Sequence, residues 1–154
     1  MKFDPNQVTF AEGAVRVQGV LRKLGIDTSK KVMTSRDPEA AQLRKLLPVT
    51  NVPQGFEKHQ LPFVLSDSQL FITHAPAGAK VAEHSHDEGD GIRFIAKGSV
   101  LYKGIELTEG DWMFIPKSVK YSIDIGARGA IMCYCYCCCC GGRQDVKDWV
   151  VDPV

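Results

Sequence analysis

Two histidines separated by one residue, His84 and His86, are the side chains of this chain with the clearest chemical potential. The surrounding residues favour a β-strand, in which positions i and i+2 share one face and their Cα atoms lie about 6.5–7 Å apart. Two imidazoles at this spacing can tilt toward one divalent metal ion as neighbouring ligands. The other interpretation of such a pair is two ordinary polar residues near the end of a strand.

The composition indicates one globular domain rather than a nucleic-acid-binding or membrane protein. The 154 residues are 44% hydrophobic and 24% charged, with a formal net charge of +1, which is enough apolar content to bury a core. A nearly neutral chain has no electrostatic reason to bind nucleic acid or an anionic membrane. Asp4 and Pro5 stand where a signal peptide needs an uninterrupted apolar run, so we expect a cytoplasmic protein.

The first sixty residues predict two helices. Apolar residues recur at helical spacing from Thr9 to Gly25, and Thr9 and Glu12 have the spacing of a capping box. Gly25 is a typical residue just beyond a helix end. A shorter helix is predicted from an N-cap at Asp37 to the residue before Pro48. We expect these helices to cover the outside of the second region.

Short β-rich runs alternate with turn sequences from about Leu61 onward. Strands of this length and spacing predict an antiparallel sandwich or barrel. Turns are predicted at residues 75–78, 97–98, 103–104, 109–111 and 126–129. The sequence therefore predicts a helical N-terminal extension over residues 1–60 and an all-β barrel over residues 61–154.

The barrel region resembles the cupin superfamily, whose first motif is G-x5-H-x-H-x3–4-E-x6-G and whose second is G-x5-P-x-G-x2-H-x3-N. The matching residues are Gly78, His84, His86 and Gly98 in the first motif, and Gly110 and Pro116 in the second. The resemblance implies an antiparallel jelly-roll barrel, often a homodimer, that holds a metal ion inside through histidine-rich ligands. Cupins include dioxygenases, decarboxylases, isomerases and non-catalytic sensors, so the fold alone does not select an activity.

Several motif positions carry other residues in this chain. The slot of the first motif's glutamate falls on Gly91, and the adjacent Asp90 is the carboxylate that could replace it after a small loop shift. In the second motif the glycine, histidine and asparagine slots fall on Ser118, Tyr121 and Ile125. The histidine that usually supplies the fourth ligand is therefore replaced by a tyrosine.

The resemblance implies a metal site made of His84, His86 and Asp90. Two histidines and one carboxylate leave open positions that suit Fe(II) and dioxygen chemistry, and zinc, manganese or nickel could use the same ligands. Tyr121 is expected to orient or protonate a bound substrate. Arg93 would anchor an anionic group of that substrate if it faces the interior.

The direction of Arg93 is left open by the sequence. Strand alternation from the glutamate slot at Gly91 places Arg93 on the inward face, whereas simple hydrophobicity places Ile92 and Phe94 inward and leaves Arg93 in solvent. Of the remaining histidines, His74 would lie roughly 13 Å along the strand pair from His84, too far for a shared ligand site. His59 lies in a polar stretch and is expected at the surface.

All six cysteines fall between Cys133 and Cys140. Such close spacing cannot tie distant parts of a fold together by disulfides, so free thiols in a reducing compartment are expected. One interpretation is that cysteine fills space in the last barrel strand. The other is that an inward cysteine adds a soft ligand beside the histidines, or acts as a redox-sensitive thiol.

These observations favour a metal-dependent small-molecule enzyme, with a non-haem iron dioxygenase as the specific prediction. The alternative is a non-catalytic cupin that binds or senses a metal, a redox change or a small ligand. In a third hypothesis the barrel is a scaffold whose N-terminal helices dock a partner. The predicted partners are a small-molecule substrate or ligand and a second copy of the chain.

Overall fold

The computed structural model describes residues 8–50, 52–65 and 68–136. These residues form a predominantly antiparallel β-structure preceded by helices. The elements in chain order are α1 Phe10–Leu24, β1 Met33–Thr34, α2 Pro38–Leu46, β2 Pro48–Val49, β3 Lys58–His59, β4 Gln69–Ala75, β5 Lys80–His84, β6 Gly91–Tyr102, β7 Ile105–Leu107, β8 Trp112–Ile115 and β9 Tyr121–Tyr136.

One seven-stranded antiparallel sheet curls into the predicted jelly-roll barrel. Its strands follow the order β1-β8-β6-β9-β4, while β5 also pairs with β9 and β7 also pairs with β6. The two long strands, β6 and β9, pair with each other and each hold further strands along their length. Strands β2 and β3 form a separate two-stranded sheet.

Glycine-containing bulges let the two long strands bend. Gly98 and Gly129 have positive φ angles of 76° and 75°, and the Cβ that a larger residue would place at Gly98 collides with the carbonyl oxygen of Gly129. The register between β6 and β9 shifts on both sides of Gly98. The predicted turns at 97–98 and 126–129 were therefore wrong, because these segments are bends inside continuous strands. The predicted turns at 103–104 and 109–111 do separate strands.

The bulge in β9 changes which residues face the barrel interior. Before it, the odd-numbered residues Tyr121, Ile123 and Ile125 are buried, and after it the even-numbered Met132 and Tyr134 are buried. A shift of one residue in a strand exchanges its two faces. The interpretation in which an inward cysteine adds a ligand beside the histidines is therefore wrong for the described cysteines, Cys133 and Cys135.

The sheet buries apolar side chains on both faces, in two cores. The barrel core contains Ile95 and Met113 with the inward residues of β9. The second core lies between the helices and the outer face of β8, where Val17 and Leu43 pack with Trp112 and Phe114. Because the helices cover this outer face, neighbouring residues of β8 point into different cores and all four are buried.

The N-terminal helices agree closely with the sequence prediction. Thr9 and Glu12 form the capping box of α1, and Gly25 ends the helix with a φ of 66°. Asp37 occupies the N-cap position of α2 but makes no side-chain cap bond, because its carboxylate accepts hydrogen bonds from Thr34. None of the helices in the described ranges has the length and apolar character needed to cross a membrane.

The N-terminal region is joined to the barrel by a strand and by a partly buried carboxylate, Asp111. Strand β1 pairs with β8 in the large sheet, so residues 1–60 contribute a strand as well as helices. Asp111 accepts hydrogen bonds from Ser35 and Arg36 at 2.7 and 2.9 Å. Although burial raises the pKa of Asp111, the hydrogen bonds from Arg36, Thr108 and Ser35 hold it below its ordinary value.

The outer face of β4 and β9 is partly uncovered. Leu70 and Ile72 are exposed, and they pair with Cys135 and Cys133, whose side chains are only partly buried. The predicted homodimer stays a prediction. The other four cysteines, residues 137–140, lie outside the described residues.

Candidate functional site

Strand β5 and the connection to β6 bring the two motif histidines to one end of the barrel. His84 ends β5, and its backbone pairs with Tyr121 at the start of β9. His86 follows in the loop, and its carbonyl accepts a hydrogen bond from the backbone of Ser118 at 2.9 Å. Ser118 occupies the glycine slot of the second motif and adopts the left-handed conformation at φ 61°, which explains why glycine suits this position.

The two imidazoles lie close enough to act on the same bound group. Their ring centroids are 5.0 Å apart and the rings are nearly perpendicular. Nδ1 of His84 is 2.8 Å from the carbonyl oxygen of Ala82. Because a carbonyl can only accept, Nδ1 carries the hydrogen in this contact and Nε2 of the neutral ring is the acceptor.

His86 lies between two tyrosine hydroxyls. Its Nε2 is 3.1 Å from the hydroxyl of Tyr121 and 2.8 Å from that of Tyr136. Burial, together with the nearby His84 and Arg93, lowers the pKa of His86 to about 4, against an opposing effect of Asp87. The ring is therefore neutral at pH 7 and can accept a hydrogen bond.

Arg93 faces the barrel interior, which settles the choice that the sequence left open. It is 8% exposed, whereas its neighbour Phe94 is 43% exposed. Its Nη2 donates to the Tyr121 hydroxyl at 3.2 Å. Since a guanidinium can only donate, the Tyr121 oxygen accepts this bond and its own hydrogen is available for His86. Arg93, Tyr121 and His86 are therefore connected by consecutive hydrogen bonds.

The slot of the missing glutamate is occupied by a tyrosine from the last strand. Gly91 is buried, and a Cβ built on it would lie 2.6 Å from the hydroxyl oxygen of Tyr134 and 3.1 Å from Cδ1 of Tyr136. Any side chain at residue 91 therefore collides with Tyr134 as it stands. A phenol from β9 takes the space that the cupin motif assigns to a carboxylate.

Asp90 does not join the histidines. Its carboxylate accepts a hydrogen bond from the backbone of Lys117 at 2.7 Å. Within residues 8–50, 52–65 and 68–136, no three His, Cys, Asp or Glu side chains form a group that could hold a metal ion. His84 and His86 are thus brought together with Tyr121 and Arg93, but the two-His-one-carboxylate set is not assembled.

The polar side chains at this end of the barrel fit a polar organic ligand better than a two-His-one-carboxylate metal centre. They supply two imidazoles and the hydroxyls of three tyrosines, at residues 121, 134 and 136, and the adjacent guanidinium repels a cation. The remaining histidines lie elsewhere: His74 is exposed on β4 and His59 lies on β3.

Tyr134 and Tyr136 are the site residues that sequence reasoning missed. Their alternation with the cysteines was visible, but which set faces inward depends on the bulge in β9. Both tyrosine rings lie beside His86, at centroid distances of 5.9 and 4.6 Å. The only signal in the sequence was that two large aromatic residues share one face of the strand.

Comparisons with solved structures found several cupins. A cupin protein from Bacteroides fragilis is 32% identical over 52% of this chain and 72% of its own, with a TM-score of 0.40. An RmlC-like cupin from Shewanella frigidimarina is 22% identical, with a TM-score of 0.40, and the match covers 46% of this chain and 65% of that protein. A bacterial pirin from Escherichia coli in complex with nickel(II) is 15% identical over 46% of this chain and 30% of its own, with a TM-score of 0.38.

No family model and no curated protein sequence matches the chain. The match spans slightly less than two thirds of the Shewanella protein. The evidence for the family is the antiparallel barrel, the motif from Gly78 to His86 that places two imidazoles at its mouth, and the identity with the Bacteroides protein. On these grounds the chain belongs to the cupin superfamily.

Proposed function

We propose that this protein is a cupin that binds a small organic molecule at the His84–His86 end of its barrel, with side chains rather than a two-His-one-carboxylate metal centre as the main ligands. The observation that carries the proposal is the polar cluster of His86, Tyr121, Tyr136 and Arg93 inside an otherwise apolar barrel. Burying these groups costs free energy, so a cluster of this kind is typical of a binding site.

The hydrogen bonds that connect Arg93, Tyr121 and His86 give each member of the cluster a role toward a ligand. Arg93 fixes the hydroxyl of Tyr121, and that hydroxyl faces the neutral ring of His86. His84 presents an acceptor nitrogen at the partly exposed mouth. A ligand that enters there meets the acceptor nitrogen of His84 first and the donor groups of Arg93 deeper inside. This arrangement would orient a molecule that has a hydrogen-bond donor at one end and an acceptor at the other.

The test is a thermal-shift screen of small organic acids, alcohols and amides, followed by NMR of the histidine rings. We expect some compounds to stabilise the protein and shift the ring signals of His84 and His86 saturably. The Tyr121→Phe variant should bind them more weakly, whereas His74→Ala, which alters an exposed imidazole on β4, should bind them as the original protein does. Stabilising compounds that leave both ring signals unmoved would contradict the proposed location.

A second candidate is the metal-dependent enzyme of the dioxygenase type. The observation that favours it is the histidine pair, because the backbone bond to Nδ1 of His84 leaves Nε2 free for a metal and the ring centroids lie 5.0 Å apart. In this hypothesis Asp90 leaves Lys117 to complete the site, and Fe(II), zinc, manganese or nickel is bound.

Elemental analysis of freshly purified protein separates the two candidates. About one metal ion per chain that disappears in the His84→Ala/His86→Ala variant would favour the metal-dependent enzyme. Metal that persists in that variant would be bound elsewhere, with the cysteines as the first place to look. Ligand binding that continues in metal-free protein favours the side-chain site.

A further inference from the structure

Arg93 is a buried cation without an anionic partner among the described residues. Its guanidinium donates to the Tyr121 hydroxyl and to the sulfur of Met132 at 3.6 Å, and it lies 4.3 Å from the centroid of the Tyr134 ring. In the part of the chain that the structure describes, no carboxylate forms an ion pair with it. An unpaired buried charge is costly.

Two donors beside this charge have no hydrogen-bond partner in the part of the chain that the structure describes. They are Nε of Arg93 and the hydroxyl of Tyr134, both buried, for which the described protein atoms supply no acceptor. The two groups belong to side chains in direct contact, since the guanidinium stacks over the Tyr134 ring. Both can donate, and an acceptor that carries negative charge would satisfy them together.

The size of the charge limits the kind of acceptor. One guanidinium supplies one positive charge, and the flanking tyrosines at 121 and 134 add neutral donors. A carboxylate matches this charge and the planar shape of the guanidinium, whereas a phosphate dianion would leave a buried excess of negative charge. The partly exposed histidines at the barrel mouth mark the side from which such a group would enter.

We infer that Arg93, Tyr121 and Tyr134 form a subsite for the carboxylate of a small organic acid. This inference rests on the proposed ligand-binding function and names the ligand class for it. The bound carboxylate would accept hydrogen bonds from Arg93 and Tyr134, while the rest of the acid extends toward His84 and His86.

The experiment titrates the protein with acetate and benzoate, and separately with inorganic phosphate, by calorimetry at constant ionic strength. One-to-one binding of a carboxylate is expected. Arg93→Met should weaken it at least about tenfold, because a charge-assisted bond is lost, and Tyr134→Phe should weaken it by a smaller factor. Lys97→Met removes an exposed charge from the same strand and should leave the affinity unchanged.

A second readout separates this role from a structural one. Without added acid, Arg93→Met should unfold at the same temperature as the original protein or higher, because it removes an unpaired buried cation. A structural arginine would instead lower that temperature. Arg93→Lys, which keeps the charge but loses the planar fork, should bind the carboxylate with intermediate affinity.

Several outcomes would overturn the inference. They are no saturable carboxylate binding, equal binding by Arg93→Met, or tighter binding of phosphate than of both acids. If neutral compounds shift the His84 and His86 ring signals while carboxylates do not bind, the ligand site stands and only the carboxylate subsite fails. If no compound of any class shifts those signals, both proposals fail.

Discussion

The contact between Gly91 and Tyr134 predicts that a methyl group at residue 91 destabilises the protein. The added carbon would lie 2.6 Å from the Tyr134 hydroxyl oxygen, 3.0 Å from Cζ of the same ring and 3.1 Å from Cδ1 of Tyr136, all closer than ordinary van der Waals contact. Overpacking a buried position costs about 1–3 kcal/mol. For a domain of this size that corresponds to a fall in Tm of about 2–12 °C.

A double-mutant cycle identifies the cause. Tyr134→Phe alone removes a hydroxyl that has no hydrogen-bond partner among residues 8–50, 52–65 and 68–136, so it should be nearly neutral. In the double variant Gly91→Ala/Tyr134→Phe the closest contact, with the hydroxyl oxygen, is gone but the contacts with the ring carbons remain. We therefore expect a partial recovery of stability relative to Gly91→Ala, with a coupling energy of about 1 kcal/mol. The control is Gly19→Ala, at an exposed position of α1 with nothing within 4 Å, which should stabilise the protein by up to about 1 kcal/mol.

The assay is thermal and urea unfolding followed by circular dichroism. If Gly91→Ala is as stable as the original protein, Tyr134 does not fill the glutamate slot. If Gly91→Ala is destabilised but Tyr134→Phe gives no recovery, the strain comes from other neighbours, and the explanation of the missing carboxylate would need revision.

Three further predictions concern protonation and local stability. The depressed pKa of His86 means that the folded protein binds a proton less readily than the unfolded chain, so stability should fall as pH drops from about 6.5 toward about 4; NMR titration of His86 should place its midpoint near 4, and a midpoint near the ordinary histidine value of about 6.5 would contradict this. Asp111→Ala should lower the free energy of unfolding by about 1–3 kcal/mol, because the donors of Arg36 and its neighbours lose their acceptor; urea unfolding measures the loss, and an unchanged midpoint would show that this link is dispensable. Ser118→Gly should raise stability by up to about 1 kcal/mol by relieving the left-handed strain, and a lower Tm would mean that the Ser118 side chain contributes more than the strain costs.

Local signals in the sequence predicted local structure well. The capping box at Thr9 and the glycine stop at Gly25 depend on residues a few positions apart, and both appear as expected. The alternation of short β-runs and turns predicted the barrel, and the motif histidines lie together at one end of it. These features require only short-range geometry, which the residue types specify.

The direction of Arg93 was undetermined for a physical reason. Ile92 packs against the core beneath the helices, so both faces of this part of β6 contact apolar groups, and hydrophobic alternation cannot tell them apart. The tyrosines at 134 and 136 were missed because their inward direction depends on a bulge that the sequence presents as a turn. Asp90 is adjacent to the glutamate slot of the motif, but its carboxylate accepts a hydrogen bond from the backbone N–H of Lys117 and does not join the histidines.

The bulge between Ile125 and Ala130 determines which of two sets of side chains at the end of β9 faces the barrel interior. With the bulge in place, phenols face the interior and the thiols of Cys133 and Cys135 face outward. Deleting one residue there would exchange the two sets, because strand faces alternate with a period of two. The side chains that line the barrel interior are thus determined by chain length at the bulge, and one deletion there would replace the inward phenols of Tyr134 and Tyr136 with thiols.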